Sequence, residues 1–299
     1  MPHPKCEIAL IAVDPPNDVD ISESVMPVAQ HQLQFLPLRK SYPDAPLFIF
    51  LPGMDGTGQL LQSQIGRLED RFEVRCLMIP ADDLTDWNGL THQVIELIRV
   101  EVGKNPQRSV YLCGESFGGC LALKVVLRSP RLIHRLILVN PASSFNHRPW
   151  MSWGSHLVRL LPESLYPLSC SGLLPFLANL ERIDASNQHA LLDAMKSVSH
   201  ESSIWRLSLL RDFYIADVDL ASILQPVLLV VGQADRLLPS MAEVERLETL
   251  MPDARKYVLP GSGHACLLET GVNLYKILQD ADFLSDRVMS ASPSAPTQS

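Results

Sequence analysis

The chain has 299 residues, of which 46% are hydrophobic and 19% charged, with a formal net charge of −8. That length and composition can fill a large core and exclude a disordered chain. The acidic balance, with no Lys/Arg-rich block, excludes a nucleic-acid-binding surface.

Residues 1–45 are proline-rich, and within them HQLQFLPLRK suggests an edge strand. From Pro46 onward a regular alternation appears. PLFIFLPG (Pro46–Gly53), FEVRCLMIP (Phe72–Pro80), SVYLCGES (Ser109–Ser116), LIHRLILVNP (Leu132–Pro141), PVLLVVGQAD (Pro226–Asp235) and ARKYVLPGSGH (Ala254–His264) are short apolar runs rich in Val, Ile and Leu. Runs apolar throughout suit strands covered on both faces, as in parallel sheets. Helix-like stretches separate them at Gly58–Leu68, Leu90–Val102, Phe117–Arg128, Ser240–Met251 and Gly271–Phe283. Strand alternating with helix predicts an α/β fold, a doubly wound and mostly parallel sheet.

One interval breaks this rhythm. Residues 142–220 hold no strand-like run but carry Trp150, Trp153, Trp205 and repeated leucines. This reads as a helical cap inserted into a core formed by 46–141 and 221–286. The small, polar tail 287–299 reads as disordered.

The chemistry lies in GESFG, Gly114–Gly118. Gly-x-Ser-x-Gly between a strand and a helix is a nucleophile elbow. The turn is so sharp that side chains two positions either side of the serine would collide, hence the glycines. It pushes the Ser116 hydroxyl out of the sheet's carboxyl edge, at a helix start whose free N–H groups favour negative charge. A serine hydroxyl needs a base, and the base an orienting carboxylate. Asp235 in GQADRLLP and His264 in GSGHACLLE each sit just past a strand, at the same edge and in the order Ser–Asp–His. The expected roles are nucleophile for Ser116, general base then acid for His264, and orientation of the imidazole for Asp235. His147 is the rival base. An acid after the preceding strand is excluded at its most obvious site, because LILVNP offers Asn140, and Asp212, Asp217 and Asp219 at the cap's exit read as solvated or capping residues.

The oxyanion donors are expected to be the backbone N–H groups of Phe117 and of Met54, the latter in FLPGMDGTG. Gly53, Gly56 and Gly58 read as places where backbone approaches substrate, and Asp55 as a brace or a catalytic group. The loop lacks the Gly-Lys-Ser/Thr ending of a nucleotide cradle, and no His-Glu-x-x-His or paired Cys-x-x-Cys occurs, so neither cofactor nor metal is expected.

Together, FLPGMDGTG, LCGESFGGCLAL, LILVNPASSF, GQADRLLPS and GSGHACLLE resemble the hydrolase-like domain of the phytyl ester synthases of plants and cyanobacteria, a branch of the α/β-hydrolase superfamily. The resemblance runs from about Pro46 to Leu284. It implies acyl chemistry on lipids: fatty acyl groups moved from glycolipids, acyl carrier protein or acyl-CoA to phytol or diacylglycerol. Plant members add an acyltransferase-like domain with a His-x-x-x-x-Asp motif. These residues contain no such motif, and Glu269 stands at that spacing after His264. Hydrolysis therefore gains weight over ester synthesis.

The expected activity is that of a serine esterase or lipase on a lipophilic acyl ester, with Trp150, Trp153 and Phe176 of the cap against the substrate. Thioesterase or tetrapyrrole phytyl-ester hydrolase activity is the alternative. A non-catalytic hydrophobic ligand-binding protein is the alternative of another class. No apolar run reaches the roughly 20 residues that span a bilayer. MPHPKCEIALIAVDPPND is no secretory signal, and the six cysteines form no close pairs. A cytoplasmic protein with reduced thiols is expected, with peripheral membrane contact permitted by an apolar cap.

Overall fold

A computed structural model of the chain describes residues 32–36, 42, 44–147 and 165–285. The segment before residue 32, Trp150, Trp153 and the tail 287–299 lie outside the described residues.

In chain order the elements are β1 (Gln34–Phe35), β2 (Leu47–Leu51), α1 (Gln62–Leu68), β3 (Glu73–Met78), α2 (Trp87–Lys104), β4 (Val110–Glu115), α3 (Phe117–Arg128) and β5 (Arg135–Val139). Then come α4 (Tyr166–Leu177), α5 (Ala185–Ser197), α6 (His200–Arg211), α7 (Asp217–Leu220), β6 (Val227–Gly232), α8 (Ser240–Leu250), β7 (Ala254–Leu259) and α9 (Leu274–Asp280). The seven strands lie in the order β1-β3-β2-β4-β5-β6-β7. Only β1 runs antiparallel, along β3. This is the α/β-hydrolase arrangement.

The strands are apolar throughout because both faces are covered. Leu47, Ile49 and Leu51 of β2 join a core with Val94 and Ile98 of α2, Leu121 of α3 and Val244 of α8. Phe48 and Phe50, on the other face, pack with Ile65 and Leu68 of α1 and Ile277 of α9. Polar side chains set several helix starts. Asp86 accepts the Gly89 N–H at 2.8 Å, so α2 begins at Trp87, earlier than the apolar periodicity predicts. Asn273 caps α9 the same way through Lys276, which shortens that helix to Leu274–Asp280.

The chain passes from β2 outward to β3, then crosses back to place β4 on the other side of β2. Strand order therefore reverses between β2 and β4, and open α/β sheets bind ligands outside the carboxyl ends of the strands at such a point. Here two segments come unusually close. A Cβ on Gly118, in the first turn of α3, would overlap the Leu51 carbonyl oxygen at the exit of β2. One on Gly114 would overlap the Gly118 carbonyl. Bare backbone therefore lets α3 start directly against the loop leaving β2.

Gly118→Ala has no flexible neighbour to displace and should lower unfolding free energy by about 2–3 kcal/mol. Denaturant unfolding would show a lower midpoint at an unchanged m value. An unaltered midpoint would mean that α3 and the β2 exit are not in this contact.

Candidate active site

Ser116 joins β4 to α3 with φ +52° and ψ −112°, a conformation that costs a non-glycine residue energy. Its neighbours hold it there. The Ser116 N–H donates to Val139 O at 3.0 Å, and its carbonyl accepts the N–H groups of Gly119 at 2.9 Å and Ala142 at 3.1 Å.

His264 follows β7. Its Nε2 lies 2.9 Å from Ser116 Oγ and its Nδ1 2.8 Å from Asp235 Oδ2. Asp235 follows β6. Its Oδ1 accepts the N–H groups of Leu237 at 2.8 Å and Leu238 at 3.0 Å, while Oδ2 also accepts the Ser240 hydroxyl. Burial opposes ionisation of this carboxyl, but the His264 charge and these donors outweigh it and hold it below the usual carboxylate range. An ionised carboxylate only accepts, so Nδ1 carries the proton and the Nε2 lone pair faces the serine. Burial likewise opposes the imidazolium of His264, which is 4% exposed. The charge and hydrogen bond of Asp235, with a further contribution from Glu115, outweigh that and raise its pKa above the usual histidine value.

The two expected oxyanion donors can be followed through their peptide planes. In a trans peptide, C=O and N–H point opposite ways. The Gly53 carbonyl accepts the Gly56 N–H at 3.0 Å within its own turn, which aims the Met54 N–H outward. The Ser116 carbonyl points along α3, which aims the Phe117 N–H back out of the helix start. Neither N–H has an acceptor among the described residues. A Cβ built on Gly53 would stand 3.9 Å from Ser116 Cβ, so this loop lies beside the hydroxyl.

One expectation about this loop needs correction. Gly56 and Gly58 do not serve a close approach of substrate. Both have positive φ, +69° and +66°. A Cβ on Gly56 would meet Arg206 Nη1 at 2.7 Å, and one on Gly58 would overlap the Leu77 carbonyl, so protein fills the space. Asp55 braces the loop, with Oδ2 accepting the Thr57 N–H at 2.9 Å and its hydroxyl at 2.6 Å.

The sequence reading assigned no structural role to three polar residues. Asn140, fully buried and at φ +40°, donates to His264 O at 2.7 Å and accepts the Gly232 N–H at 2.9 Å, tying β5, β6 and the histidine loop together. Glu269 accepts Gly263 N–H at 2.7 Å, Ser262 Oγ at 2.8 Å and Arg182 Nε at 2.6 Å, which fixes the turn before His264. Arg206 of α6 reaches the carbonyls of Met54 and Pro80. Its signal was a lone cation on the buried stripe Ser202, Arg206, Leu209, Leu210.

Phe176 is half exposed near the end of α4, one residue before Leu177, whose carbonyl accepts the Ala265 N–H at 2.7 Å. Cys76, Cys113, Cys120, Cys170 and Cys266 are buried free thiols. Among the described residues no group of three or more His, Cys, Asp or Glu side chains could hold a metal ion, and no helix is long and apolar enough to cross a membrane.

The sequence pattern of the hydrolase family described as serine aminopeptidase, S33, matches residues 82–271. The chain belongs to that family of α/β-hydrolases. The family member also shares ancestry with plant proteins. Phytyl ester synthases 1 and 2, chloroplastic, of Arabidopsis thaliana are 32% and 29% identical to it over 259 and 264 residues. Each match takes in 79% of this chain and 37% of the relative, so the hydrolase spans just over a third of these relatives' length. MenH from S. aureus shares the fold, with a TM-score of 0.66 at 17% identity, over 86% of this chain and 98% of that one. A serine-hydrolase enzyme follows from the family match.

Glu115, next to Ser116, has its pKa pushed up to about 7 by burial and by the Asp55 charge, against the pull of His264. When ionised it stabilises the imidazolium. Glu115→Gln removes that charge, so the histidine pKa falls. The acidic limb of kcat/KM for a chromogenic short-chain ester should then move to lower pH. A limb that stays put or moves up would show that Glu115 does not act on the base.

Proposed function

We propose that this hydrolase acts on lipophilic acyl esters through an acyl-enzyme on Ser116. The observation that carries the reading is the hydrogen-bonded chain from Asp235 through His264 to Ser116 Oγ, beside two N–H groups with no acceptor among the described residues. In the first half-reaction Ser116 Oγ bonds to the ester carbonyl carbon while its proton passes to His264 Nε2. The carbonyl oxygen becomes an oxyanion on the N–H groups of Met54 and Phe117. The carbon–oxygen bond to the alcohol then breaks, and His264 returns the proton to the departing oxygen. In the second half, a water or an alcohol loses a proton to His264 and bonds to the acyl carbon. Collapse frees Ser116 and releases a fatty acid or a new ester.

An apolar substrate suits the surface beside the base. The helix α4 carries no charged residue from Tyr166 to Leu177 and exposes Leu168, Leu173 and Phe176. Each buried methylene of an acyl chain contributes about 0.8 kcal/mol, so a long tail binds without a charged anchor. In this reading Phe176 contacts the acyl chain. The similarity to the two phytyl ester synthases favours a second outcome, passage of the acyl group to a long-chain alcohol such as phytol, with acyl carrier protein or acyl-CoA as donor.

A fluorophosphonate probe should label the protein once, on Ser116. Ser116→Ala and His264→Ala should each lower ester turnover on the order of 10⁴-fold or more while leaving the unfolding midpoint near its original value. Labelling at another residue would defeat the mechanism. With a medium-chain acyl ester and saturating phytol, the ratio of free acid to new ester separates the two outcomes. Acid alone would remove the transfer reading.

A further inference from the structure

We propose that Arg206 is the positioning residue of the oxyanion loop: from α6 it fixes the backbone that carries the Met54 N–H. This rests on the acyl-enzyme reading above. Arg206 is only 2% exposed, and its hydrogen bonds to described residues all end on backbone carbonyls. Nη1 donates to Met54 O at 2.8 Å and to Asp55 O at 3.2 Å, and Nη2 donates to Pro80 O at 2.7 Å. A buried cation is costly unless its donors are filled, and a guanidinium fills them as a rigid fork.

The other restraints on the loop act on its shape and its far end: Asp55 Oδ2 accepts from Thr57, and Gly58 O accepts the Cys76 thiol. The turn bond from Gly56 N–H to Gly53 O sets its shape, and Ile79 N–H to Gly56 O, 2.8 Å, ties its far end to the strand β3 exit. Its middle, Met54 and Asp55, has its carbonyls on Arg206. The loop also crosses Gly56 at positive φ, where the guanidinium lies in contact with the backbone. Rotation of the Met54–Asp55 peptide would break the bond from Arg206 to Met54 O, and rotation of the Asp55–Gly56 peptide the bond to Asp55 O; either would disturb the adjoining Gly53–Met54 peptide, which carries the Met54 N–H. The guanidinium itself is engaged by carbonyls, so it acts through the loop and not on the substrate.

The helix that carries Arg206 has its own anchors. Trp205 Nε1 donates to Thr85 O at 3.1 Å, Trp87 Nε1 donates to Leu209 O at 2.9 Å, and Ser199 N–H donates to Ala81 O at 3.0 Å. Loss of the guanidinium should therefore loosen the loop while α6 stays in place. This separates a positioning role from a merely structural one.

The test compares Arg206→Met, Arg206→Lys and Trp205→Phe in the full chain, using a chromogenic short-chain ester and the fluorophosphonate probe. Loss of one oxyanion donor costs on the order of 100-fold in kcat. Arg206→Met should lose kcat on that scale at a nearly unchanged KM, with a parallel fall in the labelling rate of Ser116. Arg206→Lys should recover part of kcat, because one ammonium can still meet some of the carbonyls. Trp205→Phe removes a different α6 anchor and should lower the unfolding midpoint without that loss of kcat. Retention of kcat in Arg206→Met would overturn the proposal. So would a loss shared equally by Trp205→Phe. If Arg206→Met does not fold, Arg206→Lys decides: full wild-type kcat and labelling there count against positioning by the fork. Failure of the underlying reading looks different, since the unsubstituted protein would then take no label on Ser116 at all.

Discussion

The whole site rests on one close approach of backbone to backbone. The start of α3 lies against the exit of β2 with no side chain between them, because residues 114 and 118 are glycine. That contact does two things at once. It forces Ser116 into a strained turn that projects its hydroxyl, and it brings the 53–54 loop beside that hydroxyl. In the proposed mechanism, nucleophile and oxyanion donors thus share one steric cause. The strain is met by the bonds from Val139, Gly119 and Ala142 to the Ser116 backbone.

Around that contact, buried polar groups set the remaining geometry. Burying such groups is expensive, and each one here is matched to specific partners. Asn140 joins the ends of β5 and β6 to the histidine loop. Glu269 gathers two donors from that loop and one from Arg182, which lies between α4 and α5. Arg206 does the corresponding work for the loop after β2. Two arginines between β5 and β6 therefore brace loops at the carboxyl edge, Arg182 through Glu269 the histidine loop and Arg206 the loop after β2.

Sequence reading found what has a local signature. The all-apolar runs mark covered parallel strands, and Gly-x-Ser-x-Gly marks the elbow by its own sterics. Asp235 and His264 could be read because each follows a strand, so topology alone brings them to one edge. Less legible were residues whose partners are distant in sequence. Asn140 was noticed only for lacking a charge, while its value lies in contacts to Gly232 and His264. Arg206 meets Met54 across 152 positions, which no local pattern encodes. Gly56 and Gly58 show the opposite error. Their spacing resembles a ligand-facing loop, yet positive φ and the packing of Arg206 and Leu77 explain them.

The two thiols nearest the nucleophile in sequence have a practical bearing. Cys113 lies on β4 and Cys120 on α3, both fully buried, and burial drives their pKa values well above those of free thiols. Neither offers a thiolate to a passing electrophile at neutral pH. Alkylating agents and mild oxidants, which disarm enzymes built on a sulfur nucleophile, should leave both positions unmodified in the folded chain.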